Sequence, residues 1–332
     1  MSTPEVSSLR SRGVRRGASA HREPRSRHSR SNAMETRGPA SMYKHPSKRV
    51  IVTHQGRQLE VVTTGPHEGP ALVFHMGTTH GVIPFPSEID PGQNGMRSIM
   101  YCRPGYGAST PKPGRTPAEA ADDVAAILDH LGIDTFVTAG WSGGAPHALA
   151  CAALLPDRCR ATAVIGGIAP YDQHQSFRDT FALIDEVRPA MEGDWESYDR
   201  ALADAAASVI GIDVQRAVAS LPSQTDQESA YGDLADWLVD SLASGYLPTP
   251  AGVRDDYLAF INPWGFDVSD SRNVAVWHGS DDHISLIHPQ WIFDHAPEAQ
   301  LHILPGEGHF SMLRHLPEIV ADLVTRAADY RR

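Results

Sequence analysis

Thr138-Ala139-Gly140-Trp141-Ser142-Gly143-Gly144-Ala145-Pro146 reads as a serine carried on a sharp turn between a strand and a helix. Upstream, Thr135-Phe136-Val137-Thr138 is a β-branched and aromatic run suited to a buried strand, and residues 145–155 downstream are rich in alanine and leucine and suited to a helix. Gly140 and Gly144 flank Ser142 at the G-x-S-x-G spacing, where a side chain would meet neighbouring backbone as the strand reverses. Gly143 leaves its backbone N–H free to face a carbonyl oxygen, and Pro146 falls in the first helical turn, where no intrahelical donor is lost. A bare G-x-S-x-G arises by chance in glycine-rich loops. Bracketed by strand and helix, it marks Ser142 as a candidate nucleophile rather than a plain turn serine.

The flanking chain alternates strand and helix. Residues 49–53 and 58–63 suggest a hairpin around Gly56, and Ala71-Leu72-Val73-Phe74-His75 is a continuous apolar run of the kind buried in a parallel sheet. It enters the glycine-containing loop Met76-Gly77-Thr78-Thr79-His80-Gly81, which can aim N–H groups at the serine; the N–H of Thr78, with that of Gly143, is the expected oxyanion donor pair. After a strand at 97–101, Cys102-Arg103-Pro104-Gly105-Tyr106-Gly107 makes a stiff turn in which Arg103 is read as fixing the loop. Thr116-Pro117-Ala118-Glu119 has the spacing of a capping box opening a helix that Gly132 closes. Further strands at 161–165, 273–278 and 300–304 complete a doubly wound, mostly parallel α/β sheet of eight strands, with ligand chemistry expected at the strands' carboxyl ends.

One stretch breaks the alternation. Residues 171–267 are acidic and mostly helical, too long for a loop, and are expected to form a helical cap or lid over the sheet's carboxyl edge. Its aromatics, Phe181, Trp195, Tyr231, Trp237 and Phe260 among them, are expected to pack it onto the body, with two or three lining an apolar pocket. The α/β core then comprises residues 42–170 and 268–332, behind a disordered basic tail at 1–41 that has too few large apolar residues to offset the entropy of ordering. Arg15-Arg16 is not followed by an apolar stretch, so an export signal is not expected.

Charge narrows the partners. The chain of 332 residues carries a net charge of -11, and residues 171–270 hold nineteen Asp or Glu against five Arg. That balance disfavours nucleic acid, which needs a continuous cationic patch. No run approaches the roughly 18 to 20 apolar residues of a membrane-spanning helix. Cys102, Cys151 and Cys159 form no C-x-x-C pair, so neither a disulfide framework nor a zinc site is expected, and a reducing cytoplasm fits best. His75, His80, His147, His278 and His283 surround the expected cleft without a ligand motif, so no metal and no cofactor is expected. The sequence sets no oligomeric state.

Two loops after later strands supply partners for the serine: Gly279-Ser280-Asp281-Asp282 and Gly306-Glu307-Gly308-His309-Phe310. The chain order of nucleophile, acid and base is that of nucleophile-elbow hydrolases. His309 would take the proton of Ser142, and an aspartate of the earlier loop would fix the imidazole tautomer. Glu307 is read as an exposed loop acid.

At these residues the chain resembles the α/β-hydrolase family: Gly140-Trp141-Ser142-Gly143-Gly144, the strand and loop 74–79, the turn from Tyr101 to Ser109, Gly279-Ser280-Asp281-Asp282 and Gly308-His309-Phe310. The similarity covers residues 49–170 and 268–330 and is specific for fold rather than substrate. It implies an acid three residues after the glycine ending its strand, Asp282, with Asp281 as the alternative. The family's oxyanion loop commonly reads His-Gly-x; Met76 intervenes here, so Thr78 or Met76 supplies the N–H. Epoxide hydrolases and haloalkane dehalogenases of the family would carry Asp where Ser142 stands. The resemblance implies a cofactor-free, carboxylesterase-like serine hydrolase for a small-to-medium neutral, mostly apolar ester or related acyl compound. A carbon–carbon bond hydrolase of diketone type and a non-catalytic binding protein or receptor with a vestigial triad are the two alternatives.

Overall fold

β1 (Lys48–His54) and β2 (Arg57–Thr64) pair antiparallel through Gln55 and Gly56, whose φ values of 51° and 76° form the positive-φ pair of a tight hairpin turn. The computed structural model describes residues 47–173, 177 and 184–329. The expected tail at 1–41 and Phe181 lie outside them. β3 (Ala71–His75), β4 (Arg97–Tyr101), β5 (Phe136–Trp141), β6 (Cys159–Ile165), β7 (Val274–Gly279) and β8 (Gln300–Leu304) complete an eight-stranded sheet in the order β1-β2-β4-β3-β5-β6-β7-β8. β2 meets β4 antiparallel, and every pairing from β4 onward is parallel.

Both faces of the sheet are covered, which is why the central strands read as unbroken apolar runs rather than alternating ones. Leu72 and Phe74 of β3 join one buried cluster with Phe85 and Met96, together with Ile319 and Leu323 of the last helix, α10 (Leu316–Asp329). Ala71 and Val73, pointing the other way, join a second cluster with Val124, Ile127 and Leu128 of α1 (Glu119–Leu131) and Cys151 of α2 (Ala145–Leu154). All three cysteines are buried and free.

α1 closes at Gly132 as expected, with φ 67°, but its start differs. Thr116 is not the cap: the helix begins at Glu119, preceded by Ala118 with no side-chain cap. Glu119 pairs with Lys112 at 3.0 Å, and the Ala118 N–H donates to the carbonyl of Trp264 at 3.0 Å. The Glu119 N–H that a capping box would give to the Thr116 hydroxyl goes instead to the Thr116 carbonyl at 3.2 Å, and the Glu119 carboxylate goes to Lys112.

Between β6 and β7 lie α3 (Ile184–Met191), α4 (Trp195–Val209), α5 (Val214–Ala219), α6 (Gln224–Ser229), α7 (Asp233–Gly245) and α8 (Ala251–Ile261). Local chemistry starts three of them. The side chains of Asp194, Asp213 and Ser223 each accept the N–H three residues on, at 3.1, 2.9 and 3.0 Å, satisfying an orphan donor of the first turn. α9 (Ile287–His295) joins β7 to β8. No described helix is long and apolar enough to cross a membrane.

Candidate active site

The serine turn is forced by its glycines. Trp141 is still extended (φ -98°, ψ 133°), Ser142 is left-handed at φ 54°, and a 3-10 turn over Ser142–Gly144 leads into α2. A non-glycine residue with positive φ is uncommon and lifts the side chain out of the strand's plane. A side chain on Gly140 would collide with the carbonyl of Gly144, and one on Gly144 with the carbonyl of His75. The collision inferred from sequence thus has named partners.

His309 and Asp282 meet at the carboxyl edge of the sheet. His309 Nδ1 lies 2.8 Å from Asp282 Oδ2, and Asp282 Oδ1 accepts the Ile284 N–H at 2.8 Å. Asp281 is exposed and takes the Ser280 hydroxyl instead, at 2.8 Å. Gly166 explains how the pair fits beneath β6: a Cβ there would lie 3.0 Å from both Asp282 Oδ2 and His309 Nδ1. Burial opposes the charge on Asp282, but the adjacent imidazole and its hydrogen bond outweigh it and hold the carboxyl below the usual range. Burial likewise opposes protonation of His309; Asp282, with a further contribution from Asp226, overrides it and raises the imidazole above its ordinary 6.5. Glu307 turns away to His315, 3.0 Å distant.

Two anchors missed by sequence reasoning hold the His309 loop. The indole N–H of Trp141 donates to the His309 carbonyl at 3.1 Å, tying the base loop to the serine turn. Asp226, wholly buried in α6, accepts the N–H groups of His309, Phe310 and Ser311 at 3.1, 2.8 and 2.8 Å. A side chain on Gly308 would strike Asp226 Oδ1. The carboxylate is satisfied entirely by backbone, the arrangement that stabilises an anion at the opening of a helical turn.

A second buried acid of the insertion holds the loop after β3. Asp256 of α8 receives Arg103 Nη2 at 2.5 Å, Arg115 Nη2 at 2.6 Å, the Tyr106 hydroxyl at 2.7 Å and the Thr78 hydroxyl at 2.6 Å. Burial opposes the charge on Asp256, and the two guanidiniums outweigh it, so it stays ionised far below the ordinary carboxylate range. Arg103 also donates to the Met76 carbonyl at 2.6 Å. Arg103, read from sequence as fixing its own turn, thus ties that turn to the loop after β3 and to α8. Thr78 ends up over Gly143: a Cβ on Gly143 would lie 2.5 Å from Thr78 Oγ1. The N–H of Gly143 sits in the first turn of the elbow, where helical donors have no intrahelical acceptor.

Ser142, His309, Thr78 and Gly143 line one cavity of about 170 Å³, roofed by Leu221, Pro222 and Phe260 of the insertion. Of the five histidines expected around the cleft, His80 and His283 reach this cavity, while His75, His147 and His278 are buried beside it. Of the insertion's aromatics, Phe260 lines it, Trp237 is buried nearby, and Trp195 and Tyr231 are exposed. Asp282, His283 and His309 place ligand-type atoms within 4.8 Å of one another. An ion there would compete with the hydrogen bond between His309 and Asp282.

Residues 70–316 match the α/β-hydrolase fold family. The chain belongs to that family. It is 27% identical over 180 residues to an epoxide hydrolase of Caballeronia sordidicola, covering 50% of this chain and 51% of that protein. It is 32% identical over 102 residues to 3-oxoadipate enol-lactonase 1 of Acinetobacter baylyi, covering 30% of this chain and 38% of that one. The matched segments thus span about half or less of these curated relatives. Among solved structures, a thermophilic esterase from Thermogutta terrifontis superposes with a TM-score of 0.62 at 18% identity, covering 86% of this chain and 100% of that one. At that identity the likeness speaks for the fold.

Proposed function

We propose that this chain is a serine hydrolase that cleaves a small-to-medium neutral, mostly apolar ester or related acyl compound through an acyl-enzyme on Ser142. The observation that carries the reading is that His309, 2.8 Å from Asp282, lines the same cavity as a serine held at positive φ. His309 accepts the Ser142 proton as Oγ attacks the substrate carbonyl, and the N–H groups of Thr78 and Gly143 receive the developing oxyanion. The C–O bond breaks, and the alcohol leaves with the proton from His309. Water then attacks the acyl-serine with His309 again as base, releasing the acid and restoring Ser142. Asp282 keeps the Nδ1–H tautomer and stabilises the imidazolium.

Two features bound the substrate. An apolar cavity of roughly 150 Å³ accommodates benzene, so about 170 Å³ suits an acyl group of about six to eight heavy atoms. The Caballeronia relative suggests epoxide opening, but a serine attacking an epoxide carbon would leave on Ser142 an ether that water does not cleave, whereas the aspartate that epoxide-opening family members carry there leaves a hydrolysable ester. Residues 171–267 act as the lid in this reading, with Leu221, Pro222 and Phe260 closing the acyl site.

Labelling with a fluorophosphonate, followed by intact mass, tests the proposal. Wild type is expected to gain one adduct, while Ser142→Ala and His309→Ala gain none; ester turnover should fall by about 10⁴-fold or more in Ser142→Ala. A folded wild type that stays unlabelled and leaves small esters intact overturns it in favour of ligand binding.

A further inference from the structure

The cavity contains a histidine with no task in the acyl-transfer steps. His80 follows Thr78 in the loop after β3, and its ring centroid lies 4.8 Å from that of Trp141 and 5.9 Å from that of Trp237, parallel to the latter within 7°. Its Nδ1 is 2.9 Å from Ser241 Oγ. Ser241 sits inside α7, and its hydroxyl donates back to the Leu238 carbonyl at 3.1 Å. A hydroxyl has one proton, so Ser241 Oγ is the acceptor for His80 Nδ1–H. In neutral imidazole the other nitrogen is then bare, and Nε2 is an acceptor. Nε2 has no partner among the described residues, and His80 lines the same cavity as Ser142.

The acceptor is held in place. The Gly81 N–H donates to the Ser241 carbonyl at 2.8 Å. A side chain on Gly81 would collide with Ser244, and one on Gly245 with the Thr79 carbonyl, so loop and helix meet backbone to backbone. Burial, and then the nearby His309, push the His80 imidazole down to about 3, so it stays neutral. Besides the polar Thr78, Ser142, His283 and His309, the cavity is lined by apolar side chains, among them Trp141, Ile284, Phe310 and Leu221. A fixed acceptor there discriminates by leaving itself unpaired when the ligand brings no donor.

We propose that His80 Nε2 selects acyl groups bearing a hydrogen-bond donor, a hydroxyl or an N–H, over acyl groups of the same size without one. This rests on the serine-hydrolase reading. The test compares p-nitrophenyl butyrate with its 2-hydroxy and 3-hydroxy derivatives and their O-methyl ethers, in wild type, His80→Phe and Ser241→Ala. In wild type, kcat/KM for one hydroxyacyl ester should exceed that for its methyl ether by roughly tenfold. That ratio should collapse towards one in His80→Phe and shrink in Ser241→Ala, which releases the tautomer without altering the ring; if His80→Phe fails to fold, Ser241→Ala carries the test. Equal rates for hydroxyl and ether in wild type, a preference for the ether, or a ratio that survives His80→Phe overturns the proposal. Failure of the underlying reading shows separately: wild type then takes no fluorophosphonate and hydrolyses none of the series.

Discussion

Asp226 and Asp256 are both buried acids on helices of the insertion, and both reach a loop of the sheet body, yet they are neutralised differently. Asp226 accepts three backbone N–H groups from the His309 loop, whereas Asp256 faces the guanidiniums of Arg103 and Arg115 and the hydroxyls of Tyr106 and Thr78. An acid bound by backbone fixes the path of one loop, and its removal leaves three buried but uncharged N–H groups without an acceptor. An acid bound by buried cations balances charge, and its removal leaves two guanidiniums uncompensated. The insertion is thus fastened by position on the side of the His309 loop and by charge on the side of the loop after β3.

The largest expected effect breaks the charge-bound side. Asp256→Ala should destabilise the fold by about 3–5 kcal/mol, read by urea denaturation; a loss below about 1 kcal/mol would mean the cations find other partners. Next is Gly308→Ala, whose methyl group would press on Asp226 and Ser223; overpacking of this kind costs about 1–3 kcal/mol and should displace His309, so that turnover falls more than stability does. Asp226→Asn removes the charge and, because both carboxylate oxygens accept buried N–H groups, leaves one of them facing an amide NH2. It should lower kcat/KM by about tenfold and cost about 1–3 kcal/mol of stability.

The same variant sharpens the comparison through pH. In the proposed mechanism His309 acts as base only when neutral, and the carboxylates of Asp282 and Asp226 raise it above 6.5, so kcat/KM should fall as pH drops through that raised value. Without the Asp226 charge the acid limb should move to lower pH; an unmoved limb would limit Asp226 to a steric role. The linked stability has the opposite sense: a raised folded-state pKa gives stabilisation that is complete below the unfolded value and is lost as pH rises through the folded one. The smallest effect is expected at exposed Asp281, where Asp281→Asn should change stability by less than about 0.5 kcal/mol and leave the pH limb unmoved.

The sheet was legible because its signals are local. The apolar run at 71–75 and the glycines around Ser142 act on neighbours a few residues away. The place of His309 was legible for a related reason: a histidine in a glycine loop just after a strand emerges at the sheet's edge. Its carboxylate neighbour was legible to within one position, since Asp281 and Asp282 share a loop and only the turn decides which faces inward. Asp226 and Asp256 were not legible. Their partners stand 83 and 153 residues away, and nothing in the helices that carry them separates these two acids from the exposed ones around them. The capping box at Thr116 failed on a different ground: the Thr116 carbonyl, not its hydroxyl, took the Glu119 N–H, and Lys112 took the Glu119 carboxylate.

The contact between Asp226 and Gly308 also limits how the molecule could be recombined. A chimaera that exchanged residues 171–267 for the insertion of another family member would sever Asp226 from the one residue type that leaves room for it, and Asp256 from Arg103 and Arg115. The natural unit of exchange therefore includes positions 103, 115 and 308 of the body. A graft that ignores them inherits an insertion without its anchors.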